Sequence, residues 1–229
     1  MPAIGIVRRM AFRGWPAEAV SFYEGLEADN SKTYWAAHKE IYEAAVVAPF
    51  RALSDEIADE FGPLHLFRPN RDVRFSKDKS PYKTAQGAVT ESEGGAIYYV
   101  SLGSYGLFAG SGYYRPAPDQ LARMREAIDD AKKGSAIERA VATARKDGYE
   151  VGGDSLKTAP KGYPKDHPRI ELLRMKGLTV GKGWEPGKWM QTAKAKDRII
   201  DAWRASGPVN AWLAKHVGPS TAPPDDGWG

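Results

Sequence analysis

The apolar positions of this chain change period twice along its length. After Pro16, a residue that a first helical turn accepts, Ala19, Phe22, Tyr23 and Leu26 recur at three-and-four spacing and predict an amphipathic helix. Asn30 or Ser31 caps a second helix carrying Trp35, His38, Ile41, Tyr42 and Ala45 on one face. Pro49 kinks or restarts it, and Phe50, Leu53, Ile57 and Phe61 continue the period until Gly62 and Pro63 stop it. The period then falls to two. Val73 and Phe75 alternate with Asp72 and Arg74, which predicts a half-buried strand. The runs AIYYVSL and LFAGSGYY, separated by Gly103, Ser104, Tyr105 and Gly106, predict a hairpin with a short turn. Gly110 and Gly112 in its second strand point to a bulge or a close backbone approach.

Helical spacing returns in the last third. Leu121, Met124 and Ile128 mark one helix, and Ser135 with Glu138 forms a capping box for a second that carries Ile137 and Val141. Asp166 caps a short helix with Ile170 and Leu173. Trp189, Ala193, Ile200 and Trp203 outline a further helix, and Val209, Trp212 and Leu213 a last one after Pro208. Helices on both sides of hairpin-connected strands give an α+β fold, an antiparallel sheet with a hairpin flanked by N-terminal and C-terminal helices. There is no internal repeat or strong linker, so residues 1–217 read as one domain. Residues 218–229, rich in Gly, Pro and Asp, read as a flexible tail.

Composition narrows the chemistry. With no cysteine among 229 residues, a disulfide framework, a thiolate metal site and a cysteine nucleophile are excluded. No apolar stretch approaches the roughly 18 residues of a membrane span, and the start, with Arg8 and Arg9, lacks a signal-peptide core. The expectation is a cytoplasmic protein without a membrane partner. Histidines 38, 65, 167 and 216 are scattered without ligand spacing, so neither a metal nor a cofactor is implied. GLTVGKG, from Gly177, is one residue short of a phosphate loop and has no Ser or Thr after Lys182, so it reads as a strand-to-turn connection. Gly110-Ser111-Gly112 lacks the spacing of a nucleophile elbow. Two S-x-x-K matches, from Ser76 and Ser80, lack the companion elements of a serine–lysine enzyme.

Charge is the informative feature. The net charge is only +4, but it is unevenly placed. RPNRDVRFSKDKSPYK (68–83) has six basic residues against two acidic ones, and so does KTAPKGYPKDHPRIELLRMK (157–176). In the first, strand alternation puts Asp72 and Arg74 on one face and Arg71 with Val73 and Phe75 on the other. Arg68, Arg71, Arg74, Lys79 and Lys83 suit capture of phosphate or carboxylate. Asp72 and Asp78 either orient those cations or act as acid/base groups raised in pKa by burial. In the second, Lys161 and Arg169 lie near a helix start that would attract an anion, and His167 is placed for proton transfer. In both segments the plainer reading is an ion-pair network or a solvated face.

RPNRDVRFSKDKSPYKT resembles the RxxRDxRFxxDKxPYKT signature of a bacterial domain-of-unknown-function family, number 2461. GLFAGSGYYRPAPDQLARMREAI and KTAPKGYPKDHPRIELLRMKGL are also similar to that family, so the resemblance spans nearly the whole chain. It implies no reaction. Three functions follow as expectations. In the first, both segments line one cleft for a phosphate-bearing small molecule, with Arg71, Arg74, Lys79 and Lys83 on the anion, Tyr82 and Tyr113 stacking a ring, and Asp72, Asp78 and His167 available for chemistry. The second is a nucleic-acid-binding module stacking bases on Phe75, Tyr82, Tyr98, Tyr99, Tyr113 and Tyr114. The third is a scaffold or partner-binding protein in which both segments are structural networks. Neither a reaction nor an oligomeric state is encoded in any of these patterns.

Overall fold

In the computed structural model, which describes residues 11–91 and 95–221, the N-terminal helices follow the periodicity closely. Helix α1 (Ala17–Ala28) buries Ala19, Phe22, Tyr23 and Leu26. Ser31, not Asn30, caps α2 (Lys32–Ile41), its hydroxyl accepting the Tyr34 N–H at 3.1 Å. Before Pro49 the helix widens into a π-helical turn, Tyr42–Val47, and the Ala48 N–H reaches back five residues to the Glu43 carbonyl. Proline has no N–H to continue the ordinary ladder, and α3 (Ala48–Phe61) restarts with it in the first turn.

Strands β1 (His65–Leu66), β2 (Ala85–Glu91), β3 (Ile97–Gly103), β4 (Gly106–Tyr113), β5 (Glu150–Gly152) and β6 (Leu178–Trp184) form a six-stranded sheet in the order β1-β2-β3-β4-β6-β5. Every pairing is antiparallel. The fold is α+β, and the predicted hairpin is β3–β4. Its register is unbroken, so Gly110 and Gly112 mark close approach and not a bulge: a Cβ on Gly112, at φ 137°, would lie 2.2 Å from the Leu178 carbonyl oxygen.

Three local expectations are corrected. Asp72–Phe75 is not a strand, because side chains satisfy its backbone in place of a ladder: Asp72 accepts the Arg74 N–H at 3.1 Å, and Lys79 donates to the Val73 carbonyl at 2.9 Å. Helices α4 (Pro118–Asp129) and α5 (Ala131–Lys146) meet at a sharp corner. Asp130 caps α5 by accepting from Lys132 and Lys133, while Ser135 lies inside the helix and donates to the Ala131 carbonyl. Helix α6 (Ile170–Arg174) starts three residues beyond the span that Asp166 could cap. Helices α7 (Lys194–Ala205) and α8 (Gly207–His216) complete the chain.

The core lies on one face of the sheet. Even positions of β2 and β3, odd positions of β4 and even positions of β6 point the same way in the pairing register, and they supply Ala88, Val100, Leu102, Leu107, Ala109, Leu178 and Val180. Two clusters cover them. One holds residues of α1, α3 and α7, and the other residues of α4, α5, α6 and α8. The opposite positions, among them Val89, Ile97, Tyr99 and Phe108, belong to neither cluster. Among the described residues that face carries no helix. At the C-terminal end, Asp119 accepts from Thr221 and Ser220, and Arg123 donates to the Val217 and Pro219 carbonyls, so residues 218–221 are fastened to α4. The rest of the expected tail, 222–229, lies outside the described residues.

Candidate functional site

The first basic segment folds as a protruding loop with a closed neck. The Arg71 N–H donates to the Pro81 carbonyl and the Lys83 N–H to the Pro69 carbonyl, both at 2.8 Å. Asn30, freed from capping, holds Tyr82 by donating to its carbonyl and accepting from its N–H, each at 3.1 Å. The Tyr82 ring is buried and stacks on Trp35 at 4.2 Å, so it cannot stack a ligand as expected. Inside the loop the cations face its own acceptors. Arg74 makes a fork to Asp72, with Nη2 2.7 Å from Oδ2, and Arg71 pairs with Asp78. Lys79 is held by the Val73 carbonyl. Arg68 is exposed.

Both loop carboxylates titrate low, the direction of the orienting alternative and not of carboxyls raised by burial. The Arg74 side chain and then its N–H hold Asp72 down at about 2, while Ser80 and then Arg71 hold Asp78 at about 2. Both are exposed, so these hydrogen bonds outweigh the burial penalty, and at neutral pH the two groups are orienting anions and not proton acceptors.

The second segment is built into a helix corner. Arg169 donates through Nε to the Ile128 carbonyl at 2.6 Å and through Nη2 to the Asp129 and Asp130 carbonyls at 3.0 and 3.3 Å. It thereby satisfies the open C-terminal carbonyls of α4. His167 Nδ1 accepts the Arg169 N–H at 3.0 Å, which leaves Nε2 to donate to Asp129 at 3.0 Å. Both its nitrogens are thus committed to structure. Lys161 is exposed on the preceding loop, and the five-residue α6 offers no anion site. The segment continues from β5, whereas the first basic loop joins β1 to β2. Five strand spacings separate those edges, about 24 Å. The two segments do not share a cleft.

The first loop borders something the sequence reading did not assemble. On the helix-free face, aromatic rings pack over glycines. A Cβ on Gly87 would meet the Phe67 ring at 2.9 Å and the Tyr99 ring at 3.1 Å. One on Gly181 would meet Phe108 at 2.6 Å, and one on Gly103 would meet Tyr105 at 2.6 Å. Ring centroids run from Phe67 to Tyr99 at 6.4 Å and on to Phe108 at 6.1 Å. At the β1–β2 edge the half-buried Lys83 ammonium sits 5.4 Å from the Phe67 centroid. Its pKa is lowered, first by burial and then by the charge of Arg68.

Of the aromatics expected to stack bases, Tyr99 lies on this face. Tyr98 and Tyr113 point into the core. Phe75 is 96% exposed, but at the loop and not on the sheet. Phe67, Tyr105 and Phe108 were not anticipated. The signal for Phe108 is the period-two glycine pattern of β4 and β6, Gly110 with Gly112 and Gly181 with Gly183. GLTVGKG is strand from Leu178 onward, so the strand half of that expectation holds and the turn half does not. A model of the family described as "Conserved hypothetical protein (DUF2461)" matches residues 18–212. The chain belongs to this family. No curated protein and no solved structure matches it. The family match takes in the loop and the glycine-floored face. No helix among the described residues is long and apolar enough to cross a membrane.

Proposed function

We propose that this DUF2461 protein binds single-stranded nucleic acid across the open face of its sheet. The observation that carries this reading is the row of Phe67, Tyr99 and Phe108 packed over glycines, with Lys83 and Arg68 at one end. The three rings are half-buried, which leaves part of each for a base, and base–aromatic stacking contributes about 1–3 kcal/mol per base. Cations at the edge meet the phosphates. The alternative of a compact phosphate pocket has less support, because Arg71, Arg74 and Lys79 are already held by Asp78, Asp72 and the Val73 carbonyl. The rings form an open row, which accommodates a strand better than an enclosed small molecule.

Fluorescence anisotropy with labelled single-stranded and duplex oligonucleotides tests the proposal. Single strands bind more tightly than duplex, and Phe108→Ala weakens that binding about tenfold while the far-UV spectrum and Tm stay close to those of the parent. Equal binding of duplex and single strand, or a Phe108→Ala variant that binds as well as the parent, would overturn it.

A further inference from the structure

Toward β5 the charge on this face is reversed. A recess of about 490 Å³ there is lined by Ser101, Tyr105, Phe108, Glu150, Gly183 and Glu185. Glu150 pairs with Gly181 in the β5–β6 register, and Phe108 lies over Gly181, so the carboxylate rises from the sheet beside the ring. Glu185 follows β6 at the same end. The Ser101 and Tyr105 hydroxyls are hydrogen-bonded to each other at 2.6 Å, so each has part of its capacity already used. Two carboxylates beside a stacking ring are hostile to phosphate. They are suited to a base edge that presents N–H donors.

We infer that Glu150 and Glu185 read the exocyclic amino group of the base stacked on Phe108, which makes the protein selective for amino-bearing bases over thymine or uracil. This rests on the strand-binding reading above. Cytosine presents an N4 amino donor where thymine presents an O4 acceptor, and a carboxylate accepts from the first and repels the second. Selectivity is therefore both attractive and repulsive, and it is confined to the base position at the β5 end. The strand's phosphates are drawn to Arg68 and Lys83 at the β1–β2 edge, so the charge gradient also fixes which end of the row is the reading end.

The test compares oligo(dC) and oligo(dT) of equal length, at mildly alkaline pH where oligo(dC) stays unpaired, on the parent chain and on the double variant Glu150→Gln, Glu185→Gln. Both glutamates are exposed, so the variant keeps its fold, and a Tm measurement checks this. The parent prefers oligo(dC) about tenfold. The variant's preference falls to within about twofold, chiefly because oligo(dT) binds better once the repulsion is removed. Equal affinity of the parent for the two oligonucleotides would overturn the inference and leave the stacking face standing. So would a preference for oligo(dC) that the double variant retains in full. Binding of neither would overturn the strand-binding reading and, with it, this one.

Discussion

The two basic segments have the same charge inventory, six cations against two anions, and opposite fates. In 157–176 the central guanidinium, Arg169, has a side chain only 11% exposed and donates to three backbone carbonyls at a helix corner. In 68–83 the corresponding forks are turned outward, with the Arg74 side chain 76% exposed and bound to a carboxylate two residues away. The difference lies in what the cations meet. Backbone carbonyls that have lost their helical partners must be satisfied, so an arginine that reaches them becomes part of the frame. An exposed ion pair in a loop holds a local shape and contributes little to global stability. Equal charge therefore distinguishes nothing until the acceptors are known.

Substitutions can break this contrast. The largest effect is expected at Arg169. Arg169→Ala leaves the Ile128, Asp129 and Asp130 carbonyls without their donor at a partly buried corner and destabilises the protein by about 3 kcal/mol. In a chain of this size that is a Tm lower by about 6–12 °C. Arg169→Lys rescues only part of the loss, since one ammonium cannot replace a fork across three carbonyls. A Tm unchanged in Arg169→Ala would place the second segment with the first.

Next in size is the salt response of single-strand binding. Lys83→Ala lowers the slope of log affinity against log salt by about 0.7, the loss of one phosphate contact, while Lys161→Ala on the far segment leaves it unaltered. A reduced slope in Lys161→Ala would mean that both segments meet the ligand.

Acidification separates the loop from the frame. The Asp72 and Asp78 carboxyls are held at about 2, below their ordinary 3.8, so their contribution is complete above pH 3.8 and is lost as the pH falls through about 2. The protection factors of the Ser80 and Arg74 amides, whose N–H groups these carboxylates accept, fall in that window while those of the sheet amides are kept. Protection at those two amides already lost at pH 5 would show that the carboxylates do not hold the loop. The smallest effect is expected for Arg74→Ala, whose Tm matches the parent's within measurement scatter. A fall of several degrees would make the first segment structural as well.

Much of the fold is legible before any coordinates. The three-and-four spacing of Phe22, Tyr23 and Leu26, or of Phe50, Leu53 and Ile57, reports burial against one partner surface, and a helix is the local geometry that puts those residues on one side. The AIYYVSL–LFAGSGYY hairpin is equally local. Asp72–Phe75 fails for an instructive reason: two alternating apolar residues are also compatible with a loop whose Asp and Lys side chains take over the backbone hydrogen bonds. The Ser135 capping box fails because Asp130, five residues earlier, already accepts the N–H groups that open α5.

The candidate site was legible only in pieces. Lys83 and Arg68 stand out as cations in the sequence, and Tyr99 as one of several aromatics. Phe67 and Phe108 become partners only through the β2–β3–β4–β6 pairing, which brings Gly87 and Gly181 under their rings from distant parts of the chain.

By itself the sequence determined the helices, the hairpin, the α+β class, the absence of thiol chemistry and the concentration of positive charge in two segments. All of these follow from spacing or composition within a few tens of residues. Only the tertiary structure decided which face of the sheet the helices cover, that the two basic segments lie at opposite edges, and that His167 and Arg169 serve a helix corner. Those outcomes depend on strand order and on which unpaired carbonyl a guanidinium meets, and neither is written in the neighbouring residues.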